Sequence, residues 1–203
     1  MSPKIFNQYT EKIFRKSEDI RGIVVGGRNI NNLRFADDTL LIAEGEEELQ
    51  ILVDMVKEDS LEDGLKMNVK KTKTMVIRRD ISDGSKVNIT VDGRALEQVE
   101  SYVYLGQLIT EDGRSDKEIR RRIEIARREF LNMKSILTSR KLTMETRKRL
   151  IRCYVLSTFL YASETWNIDK ENWKRIEAFE MWMLRRMLKI SYTDHITNEK
   201  VLR

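Results

Sequence analysis

The chain has 203 residues, 40% of them hydrophobic and 35% charged, with a net charge of +5 and an isoelectric point of about 9.2, which is enough apolar material for one large domain or two small ones. A single cysteine, Cys153, excludes an internal disulfide framework and a cysteine-rich zinc site. The longest apolar stretch, near residues 154–162, is far too short to span a bilayer, so the expected setting is intracellular, in cytoplasm or nucleus, with no membrane partner.

The N-terminal stretch "MSPKIFNQYTEKIF" predicts a helix: Ser2 suits its cap, Pro3 its first turn, and Ile5, Phe6, Tyr9, Ile13 and Phe14 recur at helical spacing. Ile23–Val25 reads as a strand followed by a Gly26-Gly27 turn. Leu33–Phe35 and Thr39–Ala43 then read as two strands around a tight turn that carries Asp37 and Asp38. A helix follows, with Leu49, Leu52, Val53, Val56 and Leu61 on its apolar face and Gly64 just past its end. Residues 74–77 predict a strand, "ISDGSK" a turn, "VNITVDG" a hairpin arm, and "SYVYLGQLITEDG" a further hairpin around Gly106.

Beyond residue 114 the pattern turns helical. Ile119, Ile123, Ala126, Phe130, Met133 and Leu137 form one stripe at intervals of three and four. A second helix is expected from Thr143, a good cap, to about Thr165. A third, from Lys170 to about Ile190, carries Trp173, Ile176, Phe179, Met183 and Met187 on one side. Cys153 falls in an apolar run and is expected to be buried and reduced. His195 has no Cys or second His around it and reads as a surface or structural residue.

Charge divides along the same line. Residues 37–63 hold 11 acidic side chains and one basic one, whereas residues 114–152 hold 14 basic and 5 acidic. A polyanion partner and a solvated arginine-rich face explain the basic stretch equally well on charge alone. The Asp37-Asp38 pair has two readings as well. Aspartate is a common turn residue. Two exposed carboxylates on a turn also offer hard oxygen ligands to Mg²⁺, and a pair of such ions promotes phosphoryl transfer once a further carboxylate bridges them.

"LRFADDTLLIAE" resembles the Ala-Asp-Asp box of reverse transcriptases, particularly those of non-LTR (LINE-type) retrotransposons. Four further blocks occur in the family's order. "SPKIFNQYTEKIF" is similar to the helix after its Gln-Gly box. "EDGLKMNVKKTKTMVI" resembles its Gly-Leu-x-x-Asn-x-x-Lys-Thr segment through Gly64, Leu65, Asn68, Lys71 and Thr72. "YVYLGQLIT" is similar to its primer-grip hairpin, here Tyr104, Leu105 and Gly106, and "LSTFLYASETW" to a sequence of its helical thumb.

The resemblance implies an α+β fold, with a partial polymerase palm of antiparallel strands and helices over residues 1–113 and an all-α, basic thumb over 114–203. It implies Mg²⁺ (or Mn²⁺) on Asp37 and Asp38. Lys71 would stand near the incoming triphosphate, although one lysine of a solvated loop explains it equally. Phosphate contacts are implied for Arg120, Arg121, Arg127, Arg128, Lys134, Arg147 and Lys148. The implied partners are an RNA template with a DNA primer, or an RNA–DNA hybrid, and deoxynucleoside triphosphates once the fingers are supplied. In the family a third catalytic aspartate lies on a palm strand upstream of the Gln-Gly box, and the matched blocks here begin at Ser2. The expectation is therefore an RNA-directed DNA polymerase fragment that is inactive alone; the alternative is a non-catalytic nucleic-acid-binding module derived from such an element.

Overall fold

The structure is a computed structural model that describes residues 8, 11–17, 19–78 and 86–202. The chain divides into two compact units, Met1–Gly106 and Gln107–Arg203. The fold is mixed α and β, with helices and small two-stranded sheets. No helix among the described residues is long and apolar enough to cross a membrane.

In the first unit the expected N-terminal helix lies mostly outside the described residues. Residues 11–15 are helical, and Ile13 and Phe14 are buried. Strands β1 (Ile23–Val25) and β2 (Arg28–Ile30) form an antiparallel hairpin. So do β3 (Asn32–Phe35) and β4 (Asp38–Leu41), with Asn32 opposite Leu41 and Phe35 opposite Asp38. Helix α1 spans Glu46–Glu62 and buries Leu52, Val53 and Val56. Leu61 is exposed instead. It lies five residues beyond Val56, which rotates it off the stripe, and Asp59 takes the inward position, with Lys16 Nζ 2.5 Å from its carboxylate.

Gly64 ends α1 at φ 74°. Leu65 N–H donates to the Ser60 carbonyl at 2.7 Å and Gly64 N–H to that of Leu61 at 3.1 Å. These are the paired bonds of a glycine-terminated helix, and they satisfy carbonyls that would otherwise lack donors.

The strand expected at residues 74–77 is shorter. It is β5 (Lys73–Thr74), and it runs parallel to β8 (Glu97–Gln98). β6 (Thr90–Val91) and β7 (Arg94–Ala95) form the Asp92-Gly93 hairpin. Residues 81–85 of the expected "ISDGSK" turn lie outside the described residues. Two apolar clusters hold the unit. One is Val53, Ile89, Val91 and Leu96; the other is Ile13, Phe14 and Val56. Leu41 packs against both, so β4 is tied to the core through that residue.

In the second unit α2 spans Asp116–Asn132 and α3 spans Lys134–Leu137. Ile119, Ile123, Ala126, Phe130 and Leu137 are buried, and Met133 is half-buried, as their spacing dictates. The helix expected from Thr143 to Thr165 begins as foreseen, with the Thr143 side chain capping Thr146 N–H. It then departs from one regular helix. α4 (Met144–Leu150) passes into a π-helical stretch, Ile151–Leu156, then a short α5 (Ser157–Phe159). Ala162 follows in the left-handed region at φ 59°. The hydroxyls of Ser157 and Thr158 donate to the carbonyls of Cys153 and Tyr154, at 2.6 and 2.8 Å. Such side-chain bonds compete with the backbone ladder and let it widen. Ile151 and Val155, four residues apart, are buried, and Cys153, midway between them, falls on the opposite face and is exposed, not buried as expected.

α6 spans Lys170–Leu188 and is capped by Asp169, whose carboxylate accepts the Asn172 N–H at 2.7 Å. Phe179, Met183 and Met187 face the core. Trp173 is exposed, and its neighbour Asn172 is buried instead, donating to Asp116 at 2.8 Å. α7 is Asn198–Leu202.

Candidate functional site

The β3–β4 hairpin turns on two residues, Ala36 and Asp37, and Asp38 opens the second strand. Ala36 sits at φ 53°, a conformation that costs a residue with a Cβ about 1–2 kcal/mol and that strand pairing on both sides imposes. The alternation of the strands gives the hairpin two unlike faces. Arg34 and Leu41 belong to the inner one. Arg34 stacks on the Phe14 ring, 4.6 Å from its centroid, and pairs with Glu11 at 3.0 Å. Leu33, Phe35 and Asp38 belong to the outer face and are exposed. Asp37 is exposed at the tip. Neither aspartate has an ion pair or a side-chain hydrogen bond among the described residues.

β9 (Ser101–Tyr104) carries the expected primer-grip tyrosine to this hairpin. The Tyr104 hydroxyl donates to the Leu33 carbonyl at 3.3 Å. Burial, and after it the charge of Asp38, pushes the phenol above its ordinary pKa. Asp38 and Tyr104 therefore share one electrostatic neighbourhood. Leu105 and Gly106 form the turn after β9, both at positive φ, and both are exposed.

Lys71 lies in a separate, well-defined turn. Its N–H donates to the Asn68 carbonyl at 3.0 Å and points to the Asn68 side-chain oxygen at 3.2 Å. Thr72 donates both its N–H and its hydroxyl to the same carbonyl, at 3.0 and 2.9 Å. The Asn-x-x-Lys-Thr spacing thus has a local reason: asparagine and threonine close the turn that presents the lysine. The Lys71 side chain is exposed and forms no ion pair among the described residues.

In the second unit the seven expected phosphate contacts separate by environment. Arg120, Arg128, Lys134 and Lys148 are exposed. Arg127 is partly exposed and pairs with Glu124 at 2.7 Å. Arg121 and Arg122 both grip Glu118 at 2.7 Å. Glu118 is only 1% exposed and also accepts the Leu108 N–H at 3.1 Å. Arg147 is buried, and its guanidinium donates to the carbonyl of Met187 at 2.8 Å and to that of Leu137 at 3.5 Å. Those carbonyls end α6 and α3, so Arg147 caps two helix C-termini.

Residues 1–109 match the family model described as reverse transcriptase (RNA-dependent DNA polymerase). The chain belongs to the reverse transcriptase family. A putative uncharacterized transposon-derived protein of Caenorhabditis elegans is 33% identical over 175 residues, 84% of this chain and 61% of that protein. The retrovirus-related Pol polyprotein from the type-1 retrotransposable element R2 of Nasonia vitripennis is 29% identical over 117 residues, 58% of this chain and 11% of that polyprotein. This reverse transcriptase chain thus spans under two thirds of either relative.

Does the aspartate pair of a reverse transcriptase chain suit a divalent metal here? Two exposed carboxylates, unpaired among the described residues, provide hard oxygen donors, and Mg²⁺ is commonly held by one or two carboxylates with substrate phosphates and water completing its shell. The donor set fits. No group of three or more His, Cys, Asp or Glu side chains able to hold a metal occurs among the described residues. Arg34, Glu118 and the Tyr104–Leu33 bond were not foreseen from the sequence. Only Arg34 had a legible signal: a charged residue between two apolar ones in a short strand must share a face with something.

Proposed function

We propose that residues 1–203 form the C-terminal palm and the thumb of a reverse transcriptase of the non-LTR, LINE-type retrotransposons. What supports this above all is the β3–β4 turn. It holds Asp37 and Asp38 exposed, and unpaired among the described residues, on a hairpin whose other face is anchored by Leu41 and Arg34. Asp37 and Asp38 would hold Mg²⁺ or Mn²⁺, and a third carboxylate would complete the set. When bound, the metal neutralises charge at the reacting phosphate.

Tyr104, Leu105 and Gly106 set the primer end, and the Tyr104 hydroxyl keeps β9 in step with β3. Lys71 offers its ammonium to the pyrophosphate leaving group, as a charge or as a proton donor. The partners are an RNA template with a DNA primer, or their hybrid, and deoxynucleoside triphosphates. Arg120, Arg128, Lys134 and Lys148 contact backbone phosphates without reading sequence. Arg147 is left out of that set because its donors are committed to helix ends.

Filter binding of an RNA–DNA hybrid over a salt series tests the thumb assignment. Charge reversal at Arg120, Arg128 and Lys148 together is expected to weaken binding about a hundredfold and to flatten the salt dependence by about three contacts. Affinity indifferent to salt and to these changes would contradict it.

A further inference from the structure

Trp182, on α6, braces two arginines. The Arg186 guanidinium carbon lies 4.0 Å from the indole centroid and that of Arg127, on α2, lies 5.5 Å from it. The ring itself is held by Phe130 and Phe179, at centroid distances of 5.1 and 6.1 Å. Both cations thus rest on a half-buried residue that packs against the core.

Their charge is only partly balanced among the described residues. Arg127 has Glu124 as its carboxylate, and its Nε is buried without a hydrogen-bond partner among the described residues. Arg186 is exposed and has neither an ion pair nor a hydrogen bond among the described residues. Burial, and then the charge of Arg127, holds the Arg186 guanidinium below its ordinary pKa. Both guanidiniums approach the same indole, and an anion bound beside them would offset their mutual repulsion. A stacked guanidinium also keeps its N–H edge free, in the planar fork that matches a phosphate.

We propose that Arg127 and Arg186, braced on Trp182, form a subsite for a backbone phosphate of a bound nucleic-acid strand. It rests on the reading that the second unit binds nucleic acid, and it adds Arg127, Arg186 and Trp182 to that surface. The indole face is occupied by guanidinium, so the subsite takes phosphates rather than stacked bases and acts alike on every sequence. Arg120 lies two turns before Arg127 on α2, about 10 Å along the same helix edge, and extends the track.

The test uses the 203-residue chain and a labelled RNA–DNA hybrid, followed by anisotropy between 50 and 200 mM salt. Arg186→Gln is expected to weaken binding about tenfold and to lower the log–log salt slope by about one. Arg186→Lys should keep most of the slope while losing part of the affinity, since the charge stays and the fork is lost. Arg175→Gln is the control, because Arg175 is already engaged by Glu171 and Asn172.

An Arg186→Gln slope equal to that of the unaltered chain overturns the subsite. So does competition by inorganic phosphate below about 1 mM that depends on Arg186, which would make it a site for a free small anion. An unaltered chain that binds no hybrid overturns the reading of the whole unit, and the subsite with it.

Discussion

Primer extension by residues 1–203 on a primed RNA template is expected to fall about a thousandfold or more below that of a complete reverse transcriptase, in Mg²⁺ or Mn²⁺. The reason is the donor count. Asp37 and Asp38 are exposed at the tip of one hairpin, and among the described residues they are unpaired and no third ligand joins them. Two-metal phosphoryl transfer would draw on protein ligands beyond this pair to fix both ions. Groups that act as a unit lose most of their effect when one is missing. Extension should appear when the upstream palm and fingers are supplied, and should then vanish in Asp38→Asn. Asp38-dependent extension by residues 1–203 alone would contradict the shared-site account. If hybrid binding persists while the completed chain still fails to extend, the non-catalytic binding module becomes the better description.

The second large effect concerns Glu118. Its carboxylate is 1% exposed and receives Arg121, Arg122 and the Leu108 N–H. Glu118→Ala leaves the Arg122 guanidinium, itself 8% exposed, without its carboxylate, and leaves a backbone donor unmatched. Removing one member of a buried pair costs about 3–5 kcal/mol. All three tryptophans, Trp166, Trp173 and Trp182, lie in the second unit, so their fluorescence reports that unit's unfolding by itself. The urea midpoint should fall by about 2 M. A shift under about 0.3 M would show that the network holds little.

The same carboxylate sets an acid limit. Burial alone would raise its pKa, but the hydrogen bonds from Arg121, Arg122 and Leu108 N–H outweigh burial and hold it below the ordinary glutamate range. A group whose folded pKa is depressed stabilises fully above its unfolded value, near 4.3, and loses that contribution as pH falls through the folded one. Glu118→Gln should therefore lose part of the acid dependence of the tryptophan-reported transition below about pH 4.

Periodic features were legible in the sequence. Ile119, Ile123, Ala126, Phe130 and Leu137 repeat at helical intervals and are all buried, because a stripe of that width has one way to leave water. Thr143 and Gly64 marked helix ends for equally local reasons, a side-chain acceptor and a positive φ. The aspartate hairpin was legible as a turn between two strands.

What escaped depends on partners remote in the chain. Leu33 and Phe35 look like core residues, yet Arg34 takes the inner face because Phe14 and Glu11 await it there. Arg147 has the same charge as Arg120, and only the helix ends it caps distinguish them. The π-helical stretch follows from two hydroxyls bonding backward, a choice that spacing does not encode. Trp173 and Asn172 exchange places because Asp116 offers the asparagine a partner.

The central claim is that Asp37 and Asp38 form one metal-binding pair on the β3–β4 turn. Mn²⁺ binding followed by electron paramagnetic resonance tests it most directly, because it needs neither template nor nucleotide. The unaltered chain should show a site with a dissociation constant on the order of 1 mM, above the diffuse background of the acidic α1 segment. The Asp37→Asn, Asp38→Asn double variant should lose that one site and keep the background. Identical Mn²⁺ titrations for the two chains would contradict the assignment of this hairpin as the metal centre.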